Sequence, residues 1–139
     1  MTPRTRRRLY ARISLGLMAV LAAGALFAFA RQLGAMDGYE GPRAAVEAWR
    51  LLAYPVFAAL FLMLGFFPRR MPGLWEAVFL HKAGMALLLL LVFKDAGDDR
   101  MLMIATDFTL AGVLAAGYLL TRGWRGWLAF HEPHRGEPG

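Results

Sequence analysis

Lys82 and Asp107 are the residues most able to do chemistry, because each is an ionisable side chain inside a long apolar segment. Lys82 lies ten residues after Pro72 and twelve before Lys94. In a helix that rises about 1.5 Å per residue, this spacing places it roughly 15 Å from either end. A charge at that depth in a bilayer costs about 2.5 kcal/mol or more. We therefore expect Lys82 to have a partner of opposite charge.

Asp107 is the expected partner of Lys82. If the two segments fold back on each other at Gly97, Lys82 lies roughly 7.5 Å beyond the level of Asp107, and an extended lysine covers most of that gap. The sequence thus predicts a buried Lys82–Asp107 pair. Arg50 and Tyr54, near the outer end of a neighbouring segment, are the competing partners for Asp107.

Such a pair has two interpretations. It can hold two helices in register, because hydrogen bonds and ion pairs between membrane helices also serve as packing contacts. It can instead form a proton or ligand site. A proton relay usually needs several acids or histidines in series, and the apolar segments do not supply them. We therefore favour the register interpretation.

The histidines are weak candidates for cofactor or metal binding. His81, beside Lys82, could contact a quinone or a lipid headgroup, but a bis-histidine haem would need a second histidine in the apolar segments. His131 and His134 flank Pro133 with no third ligand, which is a poor metal site. We therefore predict no catalytic residues, no metal and no resident cofactor, with quinone and lipid as the candidate ligands.

Glu76 lies within one turn of the start of its apolar segment. A carboxylate there is favoured by the helix macrodipole, and this is the interpretation that we prefer. The alternatives are contact with headgroups or an ion pair with Arg69 or Arg70.

The composition indicates a membrane protein. Of 139 residues, 58% are hydrophobic, whereas soluble domains contain about 45–50%. Only 19% are charged, and cysteine is absent, which excludes disulfides, thiolate zinc sites and iron–sulfur clusters. The chain also lacks phosphate-binding glycine loops and the nucleophile and zinc-protease motifs, which argues against an enzyme.

Four segments are long and apolar enough to cross a bilayer, which takes about 20 residues as a helix. The short turns between them predict an all-α, up-down-up-down four-helix bundle that forms a single domain. The segment 122–139 is interpreted as an interfacial segment and cytoplasmic tail. The four predicted spans are Ile13–Ala30, Trp49–Phe67, Leu74–Phe93 and Met101–Thr121.

The flanking charges predict the orientation. Ten arginines and two glutamates lie on one side, a net +8, whereas five basic and six acidic residues lie on the other, a net −1. The positive-inside rule then places both termini in the cytoplasm. The excess of arginine over lysine suggests a GC-rich bacterial genome, and we expect the membrane to be the bacterial inner membrane. A cleaved signal peptide ending at Ala28–Ala30 is the alternative, but the apolar run exceeds the usual length of about 7–15 residues.

Local features refine this picture. Gly41-Pro42 predicts a helix start inside the longest loop, 31–48, and Pro55 predicts a kink. Short turns predict that spans two and three, and spans three and four, are neighbours.

The predicted interfacial anchors are Trp49, Trp124 and Trp127. Small residues predict close helix packing, within the bundle or with another subunit; they are Ala111, Gly112, Ala115, Ala116 and the stretch Ala22–Ala25.

The segments Phe67–Arg70 and Leu80–Gly84, followed by Asp107 early in the last span, resemble the DoxX-like group of small four-helix bacterial membrane proteins. The resemblance covers spans two to four. It implies a four-span architecture, and some members of that group look like partners of respiratory or sulfur-oxidising enzymes. It assigns no functional residue here.

We expect a non-catalytic accessory or structural subunit of a larger membrane complex, whose partners are the bilayer and other subunits or a second copy. One alternative is a quinone- or lipid-binding subunit of an electron-transfer system, with His81, Lys82 and Asp107 around a pocket opened at Pro55. Another is a small dimeric transporter. The basic run Thr5–Arg8 could contact RNA or anionic lipid, but its role in orientation explains it, and we expect no nucleic-acid partner.

Overall fold

A computed structural model describes residues 2–94 and 97–131. Within these ranges the chain is helical and has no strands, and four of its helices are long and apolar enough to cross a membrane. These findings confirm the all-α class and indicate a multi-pass membrane protein. The predicted tail from residue 132 onward lies outside the described residues. The helices are α1 (Pro3–Ala35), a short 3-10 turn (Met36–Gly38), α2 (Gly41–Phe66), α3 (Leu74–Leu91), α4 (Arg100–Thr121) and α5 (Arg125–His131).

The helices extend beyond the apolar segments that predicted them. The hydroxyl of Thr2 caps α1 by accepting a hydrogen bond from the Thr5 amide at 3.3 Å. At its other end α1 continues to Ala35, so the connection expected over 31–48 shrinks to residues 36–40. The predicted helix start at Gly41-Pro42 is confirmed, because proline is well accommodated in the first turn of a helix.

The turn before α3 is fixed by two contacts. Gly73 has a φ of +87°, and a Cβ there would lie 3.3 Å from the Trp127 ring, so a residue without a side chain is required. The indole of Trp75 donates a hydrogen bond to the Pro68 carbonyl at 2.9 Å. The turn thus holds the start of α3 against α5.

The helices pack in an order that differs from the expected one. α1 packs mainly on α2, α3 packs mainly on α4, and α1 also lies against α4, whereas the backbones of α2 and α3 approach at few places. The prediction that α3 and α4 are neighbours is therefore confirmed, but close packing of α2 along α3 is not observed. The short connection brings the end of α2 close to the start of α3, but the two helices do not pack along their whole lengths. The central cluster contains Met18, Ala22, Ala58, Phe61, Leu64, Trp75, Val78 and Leu114.

Close helix approach occurs at other glycines than those expected. A Cβ on Gly65 would lie 3.0 Å from the Leu15 side chain, and one on Gly117 would lie 2.8 Å from the Trp75 ring. By contrast, a Cβ on Gly24 or Gly112 would meet nothing within 4 Å. The expected faces still contribute, but through their alanines, because Ala22 and Ala111 are buried.

Many large apolar side chains lie on the surface, in keeping with helices that face lipid. Leu80 is 71% exposed and Val20 is 69% exposed. Soluble monomers rarely expose large contiguous apolar patches, whereas in a bilayer such faces contact acyl chains. The exposed surface therefore agrees with the four candidate spans.

Candidate functional site

The structure brings together the two charged residues that the sequence singled out. Lys82 on α3 and Asp107 on α4 form an ion pair, with 3.2 Å between Nζ and Oδ1. Their side chains are only 14% and 16% exposed, respectively. The pair therefore lies between the two helices, and each charge has a partner of opposite sign.

Helix α2 supplies the third member of this site, the ring of Phe57. The Lys82 Nζ lies 4.2 Å from the centre of that ring, within the range of a cation–π interaction. Three helices thus meet at one ammonium group, and the Phe57 side chain connects α2 to α3, whose backbones approach each other at few places. Sequence reasoning missed Phe57, because one of the ten phenylalanines in the chain carries no distinguishing signal.

His81 lies on the outer side of the same site. Its ring packs against Phe57, with 4.7 Å between centroids and a tilt of 54°. The side chain is exposed on the helical bundle, so it is accessible to a molecule in the surrounding lipid. The predicted ligand-contact residue is therefore adjacent to the ion pair without being a member of it.

Arg50 belongs to a different polar group. It forms an ion pair with Glu47 at 3.0 Å, and Gln32 donates a hydrogen bond to the same carboxylate at 2.9 Å. Glu47 is three residues before Arg50 on α2, so the two lie on one helix face. Asp107 therefore pairs with Lys82 and not with Arg50, while Tyr54 is a half-buried residue of α2.

Glu76 has hydrogen-bond partners that the sequence did not predict. Its Oε1 accepts a hydrogen bond from the Tyr118 hydroxyl at 2.8 Å and another from the Trp127 indole at 3.1 Å. The expected alternative, an ion pair with Arg69 or Arg70, is not formed. Arg69 instead donates from Nε to the Thr121 carbonyl at 2.7 Å, and thereby caps the end of α4.

The three predicted anchors are all exposed to some degree. Trp49, near the start of α2, is 78% exposed. Trp124 is 40% exposed and packs edge-on against Tyr118, with 5.7 Å between ring centroids. Trp127 is 41% exposed and joins α5 to Glu76. Indole side chains with one polar edge suit the headgroup region.

A basic cleft opens between the start of α1 and the turn from α2 to α3. Its volume is about 600 Å³. Burial, and then the charges of Arg7, Arg125 and Arg122, hold the pKa of Arg69 below its ordinary value. Two arginine runs that lie far apart in sequence thus form one positive surface. We call this feature the arginine cleft; it is lined by Arg4, Arg7, Arg8, Ala11, Phe66, Phe67, Pro68, Arg69, Arg70 and Thr121.

The described part of the chain contains no group of three histidine, aspartate or glutamate residues placed to hold a metal. The side chain of His131 and the whole of His134 lie outside the described structure. The polar side chains of α3 and α4 instead form an ion pair and a hydrogen bond between the two helices.

Comparison with protein-family models, curated proteins and solved structures finds no match to this chain.

Proposed function

We propose that this chain is a small, non-catalytic, multi-pass protein of a bacterial inner membrane, and that it is an accessory or structural subunit of a larger membrane complex. In this proposal the helices run up-down-up-down and both termini are cytoplasmic. The charge asymmetry between the two sides, +8 against −1, supports this orientation. A place in or near the DoxX-like group is part of the same proposal.

The observation that supports a structural role is that the charges of Lys82 and Asp107 are satisfied within the chain. Each side chain neutralises the other at 3.2 Å, and Phe57 covers the ammonium group at 4.2 Å. A proton or ion pathway would instead need a series of further titratable groups across the membrane. A pair that is satisfied in this way connects three helices and holds their register.

The surface supports association with other membrane subunits. Gly24 on α1 and Gly112 on α4 leave open space where a side chain would be. Small residues on an open helix face allow the backbone of another helix to approach closely. These positions do not serve packing within the chain, so they remain available to a partner.

Purification from native membranes in mild detergent tests this proposal. We expect the chain to co-purify with other membrane subunits in a fixed stoichiometry, measured by quantitative mass spectrometry and native mass spectrometry of the intact complex. Gly112→Leu should reduce the yield of the complex, whereas Val20→Leu, at a position on α1 that is 69% exposed and already carries a branched side chain, is the control and should leave the yield unchanged. A monodisperse monomer without partners would contradict the proposal.

The position of His81 favours a second candidate, a quinone- or lipid-binding subunit of an electron-transfer system. The imidazole is exposed and packs on Phe57 beside Lys82, so it could donate a hydrogen bond to a quinone carbonyl. This candidate predicts that quinone co-extracts with the purified protein and is lost in His81→Leu. If Lys82→Met and Asp107→Asn together leave folding and quinone content unchanged, the candidate fails.

A further inference from the structure

We propose that the arginine cleft binds the phosphate group of an anionic phospholipid. The cleft, about 600 Å³ in volume, is lined by five arginines from two separate parts of the chain. This inference concerns a different part of the molecule from the Lys82–Asp107 site and does not depend on the proposed subunit role.

The charge of the cleft favours an anion. None of the described residues that line it is acidic. Glu76, the carboxylate at the start of α3, already accepts hydrogen bonds from Tyr118 and Trp127. Burial, and then the positive charges of Arg7, Arg125 and Arg122, lower the pKa of Arg69, in keeping with repulsion among the guanidinium groups gathered there. A bound anion would relieve that repulsion.

The arrangement of donors suits phosphate in particular. Arg7 and Arg8 lie three and four residues after Arg4, so both share a face of α1 with Arg4. Arg70 faces them from the turn after α2, across the same cleft. Guanidinium groups donate paired, planar hydrogen bonds that match phosphate oxygens. Several such groups around one cavity can surround a phosphate from more than one side.

The apolar part of the lining favours a lipid over a soluble phosphate. Phe66 is 61% exposed and Phe67 is 43% exposed, and both line the cleft with Ala11 and Pro68. Phe66 ends the apolar helix α2, so the lining passes from guanidinium groups to a surface suited to acyl chains. A phospholipid has the same succession of anionic phosphate and hydrocarbon, and basic pockets between membrane helices are known to bind such headgroups.

Two double variants of the full-length protein test the site. Arg4→Gln with Arg7→Gln removes two charges that line the cleft. Arg6→Gln with Arg12→Gln removes two charges from the same helix outside the lining, so net charge and the orientation signal change equally. A third variant, Arg70→Gln, alters the opposite wall. Circular dichroism and size-exclusion chromatography check that all three variants fold.

Lipid retention is measured by native mass spectrometry of delipidated protein, titrated with phosphatidylglycerol, with phosphatidylcholine or with inorganic phosphate alone. We expect preferential binding of phosphatidylglycerol, weakened about tenfold or more by the Arg4/Arg7 double variant and weakened also by Arg70→Gln. The Arg6/Arg12 variant should bind as the unmodified protein does.

Three results would overturn the proposal. Equal losses in the two double variants would show a general charge effect and no site at the cleft. Equal binding of phosphatidylglycerol and phosphatidylcholine would remove the requirement for an anion. Binding of inorganic phosphate that matches the lipid in affinity would assign the cleft to a soluble phosphate.

Discussion

The Lys82 Nζ lies 3.2 Å from the Asp107 Oδ1 across the α3–α4 interface, and both side chains are mostly buried. Because Lys82 also lies over the Phe57 ring, one ammonium group links three of the four long helices. This link compensates for the limited backbone contact between α2 and α3. We therefore expect the free energy of unfolding of the bundle to depend strongly on these three side chains.

Phe57→Leu tests the link to α2. The substitution keeps an apolar side chain but removes the aromatic face, so we expect a loss of about 0.5–2 kcal/mol in the free energy of unfolding. Phe27→Leu is the matched control, because Phe27 is 67% exposed on α1. Unfolding by a denaturing detergent in bicelles provides the measurement. Equal effects of the two substitutions would show that the ring contributes only its volume.

Gly117→Ala tests the close approach of α4 to Trp75 on α3 and to Ser14 on α1. A Cβ there would lie 2.8 Å from the Trp75 ring and 3.3 Å from the Ser14 hydroxyl. We expect a destabilisation of about 1–3 kcal/mol, because the core must shift to admit the methyl group. Gly112→Ala meets no neighbour within 4 Å and should be neutral or stabilise α4 by about 0.5–1 kcal/mol. A thermal unfolding comparison that ranked the two variants in the opposite order would contradict this packing.

Arg100→Gln tests the cap at the end of α3. Arg100 donates from Nε to the Leu89 carbonyl at 2.8 Å and from Nη2 to the Leu90 carbonyl at 3.0 Å. Loss of these charge-assisted bonds should cost about 1.5–3 kcal/mol and loosen the last turn of α3. Amide hydrogen exchange of that turn should accelerate in Arg100→Gln and stay unchanged in Lys94→Gln, which removes a charge nearby. Unchanged exchange in both variants would show that the cap is dispensable.

The Lys82–Asp107 pair could be predicted from the sequence because helical rise fixes depth, and a short turn fixes which levels of two adjacent helices face each other. The ends of the helices were less predictable. Hydropathy marks the hydrocarbon-crossing part, whereas α1 continues through polar residues at both ends of Ile13–Ala30. Hydrogen bonds within the backbone keep such extensions helical beyond the apolar run.

Features that depend on packing order could not be read from the sequence. The arginine cleft requires the start of α1 to lie beside the turn after α2, and no local pattern encodes that approach. The same holds for Phe57 beneath Lys82, because these residues lie on different helices. The Glu47–Arg50 pair is different: three residues separate the two on α2, and that spacing could have indicated the pair. At the cleft and at Phe57, the groups come from different parts of the fold, and spacing along the sequence does not specify how the helices approach each other.

A double-mutant cycle on Lys82→Met and Asp107→Asn, measured as unfolding free energy in lipid bicelles, tests the central claim most directly. Each single substitution leaves one partner unpaired, and we expect it to cost about 3 kcal/mol or more. The double substitution leaves no unpaired charge and should cost no more than either single substitution, which corresponds to a coupling of about 3 kcal/mol or more. Strictly additive effects would contradict the account, because they would show that the two side chains do not stabilise the bundle as a pair.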